Sequence, residues 1–175
     1  MDVFVRSLAT GTLLVQISVI VSALLFLASW QGYFSGYVER LAGFISERWR
    51  EVSLVLTVLA ASGSLYMSNF LGWTPCRLCW FQRIFMYPLV LLFGVSVYLD
   101  TDVREYVVPM ASIGAGIAGY HYIIQRISQF HAAGCSVLSV SCETEYTFHF
   151  GFINVPMMAF TVFTVVLLLA WYSRS

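Results

Sequence analysis

The run Gly72-Trp-Thr-Pro-Cys76-Arg-Leu-Cys79-Trp-Phe-Gln-Arg83-Ile-Phe-Met-Tyr-Pro88 sets two cysteines, two residues apart, at the head of an apolar stretch reaching to about Leu99. About 20 mostly apolar residues suffice to cross the hydrocarbon core of a bilayer as a helix, so the motif stands at a membrane boundary. Four further stretches have the same character: about Leu8 to Trp30, Val52 to Leu71, Tyr106 to Ile127 and Phe152 to Trp171. Lipid offers no partner for backbone N–H and C=O groups, which makes such runs helical. Composition agrees: of 175 residues, 59% are hydrophobic and 10% charged, against about 25% charged in an ordinary soluble domain. The expected fold is an all-α integral membrane protein with five spans.

The first span is read as retained rather than as a signal peptide. Its leading residues hold Asp2 and a single Arg6, and its apolar run is long for a signal sequence. Residues 31 to 51 differ from the rest. The segment Tyr37 to Glu51 is amphipathic and charged, and fits both an interfacial helix and a solvated connector. The chain therefore divides into residues 1–51, a span plus connector, and residues 52–175. Formal net charge is zero, all nine basic residues are arginines, and no basic block points to nucleic acid.

The other two cysteines, Cys135 and Cys142, lie between the fourth and fifth spans, while Cys76 and Cys79 lie between the second and third. Two crossings separate these loops, so both pairs face one compartment. Arg40, Arg48, Arg50, Arg104 and Arg174 lie on the opposite side; Arg6, Arg77, Arg83 and Arg126 lie on the cysteine side. Arg77 and Arg83 belong to the cysteine motif, and without them the bias favours an outward-facing cysteine side. Disulfides persist there.

A Cys-x-x-Cys pair often carries a depressed thiol pKa. Cys79 opens the third span, where the positive end of the helix favours a thiolate. Arg83 follows one turn later on the same face, roughly 6 Å deeper. A boundary arginine also snorkels to lipid phosphates, but a cysteine pair one turn above favours a functional role. His121, within Gly119-Tyr-His-Tyr-Ile-Ile-Gln-Arg126, falls at a comparable depth. It suits either packing or donation to a carbonyl or reduced cofactor; Gln125 is a weaker candidate. Cys135 and Cys142 enclose a Ser-rich stretch of six residues, the kind of exposed disulfide that exchanges. Trp73, Trp80, Phe81, Tyr120 and Tyr122 lie at the level of Arg83 and suit stacking on a flat ring as well as interfacial anchoring. His131 and His149 flank the loop. The metal alternative is a zinc site held by all four thiolates, Cys76, Cys79, Cys135 and Cys142, for which the spacing of the second pair is unusual.

Pro75-Cys-x-Leu-Cys-Trp-Phe-Gln-Arg-Ile-x-Met-Tyr-Pro88, Tyr120-His121, the loop cysteines and Asn154-Val-Pro156 together resemble the DsbB/BdbC family of disulfide-bond-forming membrane oxidoreductases. The resemblance runs from about Leu54 to the C-terminus. It implies a four-helix transmembrane bundle around a quinone pocket, here with an extra N-terminal transmembrane helix, in a plasma or inner membrane with the cysteine loops extracytoplasmic. It also implies a thioredoxin-fold partner similar to DsbA, which passes electrons to Cys135 and Cys142. These hand them to Cys76 and Cys79, with Cys79 facing ubiquinone or menaquinone and Arg83 and His121 binding it. No resident metal is expected. A vitamin K epoxide reductase-like enzyme is the redox alternative, but there the loop pair precedes the Cys-x-x-Cys. A non-enzymatic scaffold with structural or zinc-bound cysteines is the other.

Overall fold

In the computed structural model, residues 3–29, 40, 43–44, 46–126 and 149–173 are described. They form five helices: α1 (Val3–Ser29), α2 (Trp49–Asn69), α3 (Arg77–Leu99), α4 (Arg104–Arg126) and α5 (Val155–Tyr172). All five are long and apolar enough to cross a membrane. Residues 37–39, 41–42 and 45 of the Tyr37–Glu51 connector fall outside the described residues, and α2 starts at Trp49, three residues before the expected edge.

The helix ends follow local chemistry. Gly72, at φ +68°, supplies the left-handed turn after α2 that a residue with a Cβ adopts only at a cost. Asp100 closes α3 in the left-handed region, one of the few non-glycine types that visit it readily. Asn154 caps α5, accepting from Met157 N–H at 3.1 Å, and Pro156 follows within the first turn, where its missing N–H costs nothing.

α4 and α5 pack most closely. Ala111, Gly114, Ala115 and Ala118 give α4 a buried face of small residues against which Phe163 and Val166 of α5 lie fully buried. Small residues let helix backbones approach where lipid provides no hydrophobic drive. Phe93 and Leu89 of α3 complete the core, with Trp49 edge-on to Phe93 at 5.8 Å between centroids. Large side chains such as Leu14, Leu91, Tyr98 and Trp171 face outward, as in a protein whose solvent is lipid. Far from the cysteines the bundle is tied by Arg50 paired with Asp100, and by Arg104, which donates to Ser173 Oγ at 2.7 Å and stacks on Trp49. That leaves the ends of α2 and α4 and the starts of α3 and α5 together at the other end.

Candidate functional site: a capped cysteine pair on an apolar cavity

α3 is capped by a sulfur. Cys76 has extended backbone (φ −70°, ψ 173°), and its Sγ accepts the N–H of Cys79 at 3.3 Å. This is the place where a Ser or Asp oxygen usually satisfies an orphan helix donor. The same turn brings the two Sγ atoms to 3.0 Å, about 1 Å beyond the ~2.05 Å of a disulfide. Closing the bond therefore needs little more than a side-chain rotation. Cys76 is buried and Cys79 half-buried. The Cys76 thiol donates to Cys79 Sγ; that bond first, and burial second, push its pKa up from 9.0 to about 12, with His121 opposing. In the reduced pair the proton stays on Cys76.

His121, fully buried on α4, brings Nε2 to 3.7 Å from Cys76 Sγ. Its ring sits between two amides: the Gln82 nitrogen lies 3.0 Å from Nδ1 and the Gln125 nitrogen 3.4 Å from Nε2. The polarity of this chain starts at a backbone group. Met157 N–H donates to Asn154 Oδ1, so the other end of that amide is its NH2, which donates to Gln125 Oε1 at 2.7 Å. Gln125 must then present its own NH2 to the ring. With both amide nitrogens turned toward a ring that holds one proton, the anchored Gln125 NH2 makes Nε2 the acceptor and leaves Nδ1 the protonated nitrogen, which the Gln82 amide meets with its oxygen once its nitrogen and oxygen are exchanged. This acceptor nitrogen lies 3.7 Å from the Cys76 sulfur. The turn before α5 holds Asn154 in place: His149 and Ile153 exchange two backbone hydrogen bonds at 2.9 Å, and Arg126 donates to Gly151 O at 2.6 Å.

Arg83 is pinned across to α2. Nε donates to Ser64 Oγ and Nη2 to Ser64 O, both at 2.9 Å, and the guanidinium lies 5.3 Å from the centre of the Trp80 ring. It borders a cavity of about 370 Å3 whose polar end is formed by Cys76, Cys79, Gln82, Arg83 and His121. The rest is mostly apolar, and one wall belongs to α1. The volume and the few convergent polar groups suit a small, largely apolar ligand.

The sequence expectations meet this site unevenly. Cys76, Cys79, Arg83 and His121 all border one cavity, with His121 Nε2 3.7 Å from the Cys76 sulfur. Cys135, Cys142 and His131 fall outside the described residues; α4 ends and α5 begins at the cysteine end, so the chain between them starts and finishes there. Of the five aromatics, Trp73 lines the cavity. Trp80, Phe81 and Tyr120 are 54%, 44% and 50% exposed, because their helix positions turn them outward to lipid, and Tyr122 lies under Arg126. Among the described residues the cysteines' companion for a metal is His121: the two sulfurs and a ring nitrogen lie within 4.8 Å of one another. Ser64 is a site residue that the sequence alone does not mark, and Gln82 and Asn154, which the sequence shows only as members of the quoted motifs, gain a role here. Gln82 carries a usable signal, since it follows Cys79 by three residues and so shares its helix face.

The family described as Disulfide bond formation protein DsbB matches residues 47–173. The chain is 46% identical over 109 residues to "Probable disulfide formation protein C 1" of Bacillus anthracis, covering 62% of this chain and 78% of that protein. It is 43% identical over 117 residues to "Disulfide bond formation protein C" of Bacillus subtilis, covering 66% and 85%. It is also 42% identical over 120 residues to "Probable disulfide formation protein" of Oceanobacillus iheyensis, covering 66% and 81%. No solved structure matches. A multi-pass helical bundle with a capped Cys-x-x-Cys and the match over α2 to α5 lead to one conclusion: this chain belongs to the DsbB family of membrane disulfide bond formation proteins.

Proposed function

We propose that the protein is a membrane thiol:quinone oxidoreductase that reoxidises a thioredoxin-fold partner similar to DsbA, generating disulfides de novo. The observation that carries this reading is the pair of sulfurs 3.0 Å apart on a cavity of about 370 Å3 that also holds Arg83 and His121. The partner's dithiol reduces a Cys135–Cys142 disulfide by exchange at Cys135, becoming a disulfide itself. The loop dithiol then reduces the Cys76–Cys79 disulfide by exchange at Cys76. Each exchange moves two electrons and two protons, and every bond broken is matched by one formed.

The cavity fits a quinone: it is mostly apolar, and one end gathers hydrogen-bond donors beside the cysteines. A membrane quinone, when bound, supplies the acceptor for the two electrons and two protons that Cys76 and Cys79 give up. His121 Nε2 takes the Cys76 proton as the disulfide closes. Cys79 is the sulfur assigned to the quinone side, and Arg83, pinned by Ser64, would hold an acceptor oxygen in place. The cysteine end faces the extracytoplasmic side of a plasma or inner membrane, where a secreted partner reaches the loop pair.

The test is reconstitution in lipid with a reduced thioredoxin-fold partner and a short-chain ubiquinone or menaquinone analogue, following quinone absorbance. Wild type reduces the quinone and Cys79→Ser does not. Arg83→Ala raises the quinone KM about tenfold or more while thiol exchange at the loop pair persists. No reduction by wild type, or unchanged reduction by Cys79→Ser, overturns the reading.

A further inference from the structure

The family match begins at residue 47, so α1 lies outside the part of the chain that the family accounts for. Its inner face is nevertheless part of the cavity. Phe4, Leu8, Gly11, Thr12 and Val15 border it, with the three- and four-residue spacing of a single helix face.

Three contacts seat α1 there. Val5 and Ala9 are buried. Phe4 packs on Tyr66 of α2 with centroids 4.3 Å apart. Leu8 fills the space left by Gly63 of α2, where a Cβ would come within 2.8 Å of Leu8 Cδ1. On the other flank Gln16 donates to Thr161 Oγ1 of α5 at 2.8 Å. A polar clamp in the apolar region has few alternative partners and fixes the register of the two helices. α1 therefore bridges α2 and α5 on the side of the cavity toward lipid. Its opposite face, with Ile17 47% exposed, points away.

We infer that α1 is the lateral wall of the ligand pocket, and that its Gly11–Thr12 level sets the width available to a lipid-soluble ring and tail approaching Cys79 and Arg83. The inference rests on the quinone reading only for the identity of that ligand. Gly11 is the telling position: it borders the cavity, and a Cβ built there meets nothing within 4 Å. A larger side chain is accommodated by the helix and occupies ligand space.

The experiment uses the full-length reduced protein in lipid nanodiscs. N-(1-pyrenyl)maleimide, a bulky apolar thiol reagent, is timed against iodoacetamide, with the Cys79 adduct read by peptide mass spectrometry. Gly11→Phe slows pyrenylmaleimide addition at Cys79 about tenfold and iodoacetamide addition less than threefold. Ile17→Phe, on the outward face, changes neither by more than twofold. Gly11→Phe also raises the KM for a short-chain ubiquinone analogue about tenfold with kcat within threefold, and leaves exchange with the reduced partner unchanged. Pyrenylmaleimide labelling of Gly11→Phe at the wild-type rate, or equal slowing in Ile17→Phe, overturns the wall assignment. A wild type that reduces no quinone overturns the proposed electron acceptor instead, and the labelling ratio still decides the place of α1.

Discussion

Replacing Asn154 separates two jobs that one side chain performs. Its Oδ1 caps α5 and its NH2 sets the direction of the amide chain that ends on His121. Asn154→Ala removes both. Loss of a helix cap costs about 1 kcal/mol, and loss of the bond from the Asn154 NH2 to the half-buried Gln125 oxygen costs about 1 kcal/mol more. The sum, about 2 kcal/mol, lowers the melting temperature by roughly 4–8 °C in a chain of this size. Asn154→Asp keeps the cap, because a carboxylate at a helix N-terminus accepts the Met157 N–H at least as well, and stability changes by less than about 1 kcal/mol. The carboxylate has no proton to donate, so Gln125 must turn its NH2 toward residue 154 and its oxygen toward His121. Nε2 then becomes the protonated nitrogen, and the base facing Cys76 is lost. The assay is 15N NMR at pH 8 of histidine-labelled protein in nanodiscs, with His121 assigned by comparison with His121→Asn. In Asn154→Asp the two ring nitrogens exchange their protonated and unprotonated shifts, and reoxidation of the reduced pair slows, while the melting temperature barely moves. Unchanged His121 shifts in Asn154→Asp would refute the directional chain.

Two further outcomes follow from the geometry. With a pKa near 12, only about one Cys76 thiol in ten thousand is ionised at pH 8; iodoacetamide mapping of the reduced protein should therefore show Cys76 almost unmodified from pH 6 to 9.5, and a titration midpoint near 9 would contradict this. Because that folded pKa lies above the ordinary value of 9.0, the dithiol hydrogen bond contributes its full stability below about pH 9 and loses it as pH rises through 12. At Gly114 a Cβ would stand 2.5 Å from the Phe163 ring, which is fully buried, whereas at Gly116 it meets nothing within 4 Å. Overpacking costs about 1–3 kcal/mol against a gain of about 1 kcal/mol in helix propensity, so Gly114→Ala should melt lower than wild type and Gly116→Ala higher; the same sign for both would remove the steric account.

The parts of this protein that can be read from sequence are those fixed by the bilayer and by one turn of helix. Lipid forces every apolar run into a helix, so all five spans are visible, and counting crossings sets both cysteine pairs at one end. Within a turn, a Cys-x-x-Cys at the start of a span already carries the capping geometry, since a side chain at Cys76 can meet only the N–H groups of the next few residues. What stays hidden depends on which helices stand side by side. Ser64 is one of several small polar residues in α2, and nothing local marks it as the anchor of Arg83. Asn154 reads as a cap, but its second hydrogen bond needs α4 beside it. The face of α1 reads as another lipid-facing span until α2 and α5 are placed. These cross-helix polar contacts average only about 0.6 kcal/mol each in a membrane, too little to hold the bundle together. Their effect is selective. Arg83 to Ser64, the Gln82–His121–Gln125–Asn154 chain and Gln16 to Thr161 each leave buried polar groups unpaired if a helix slips by one turn. The residues that assemble the redox site are thus also the ones that penalise every other register of the helices around it.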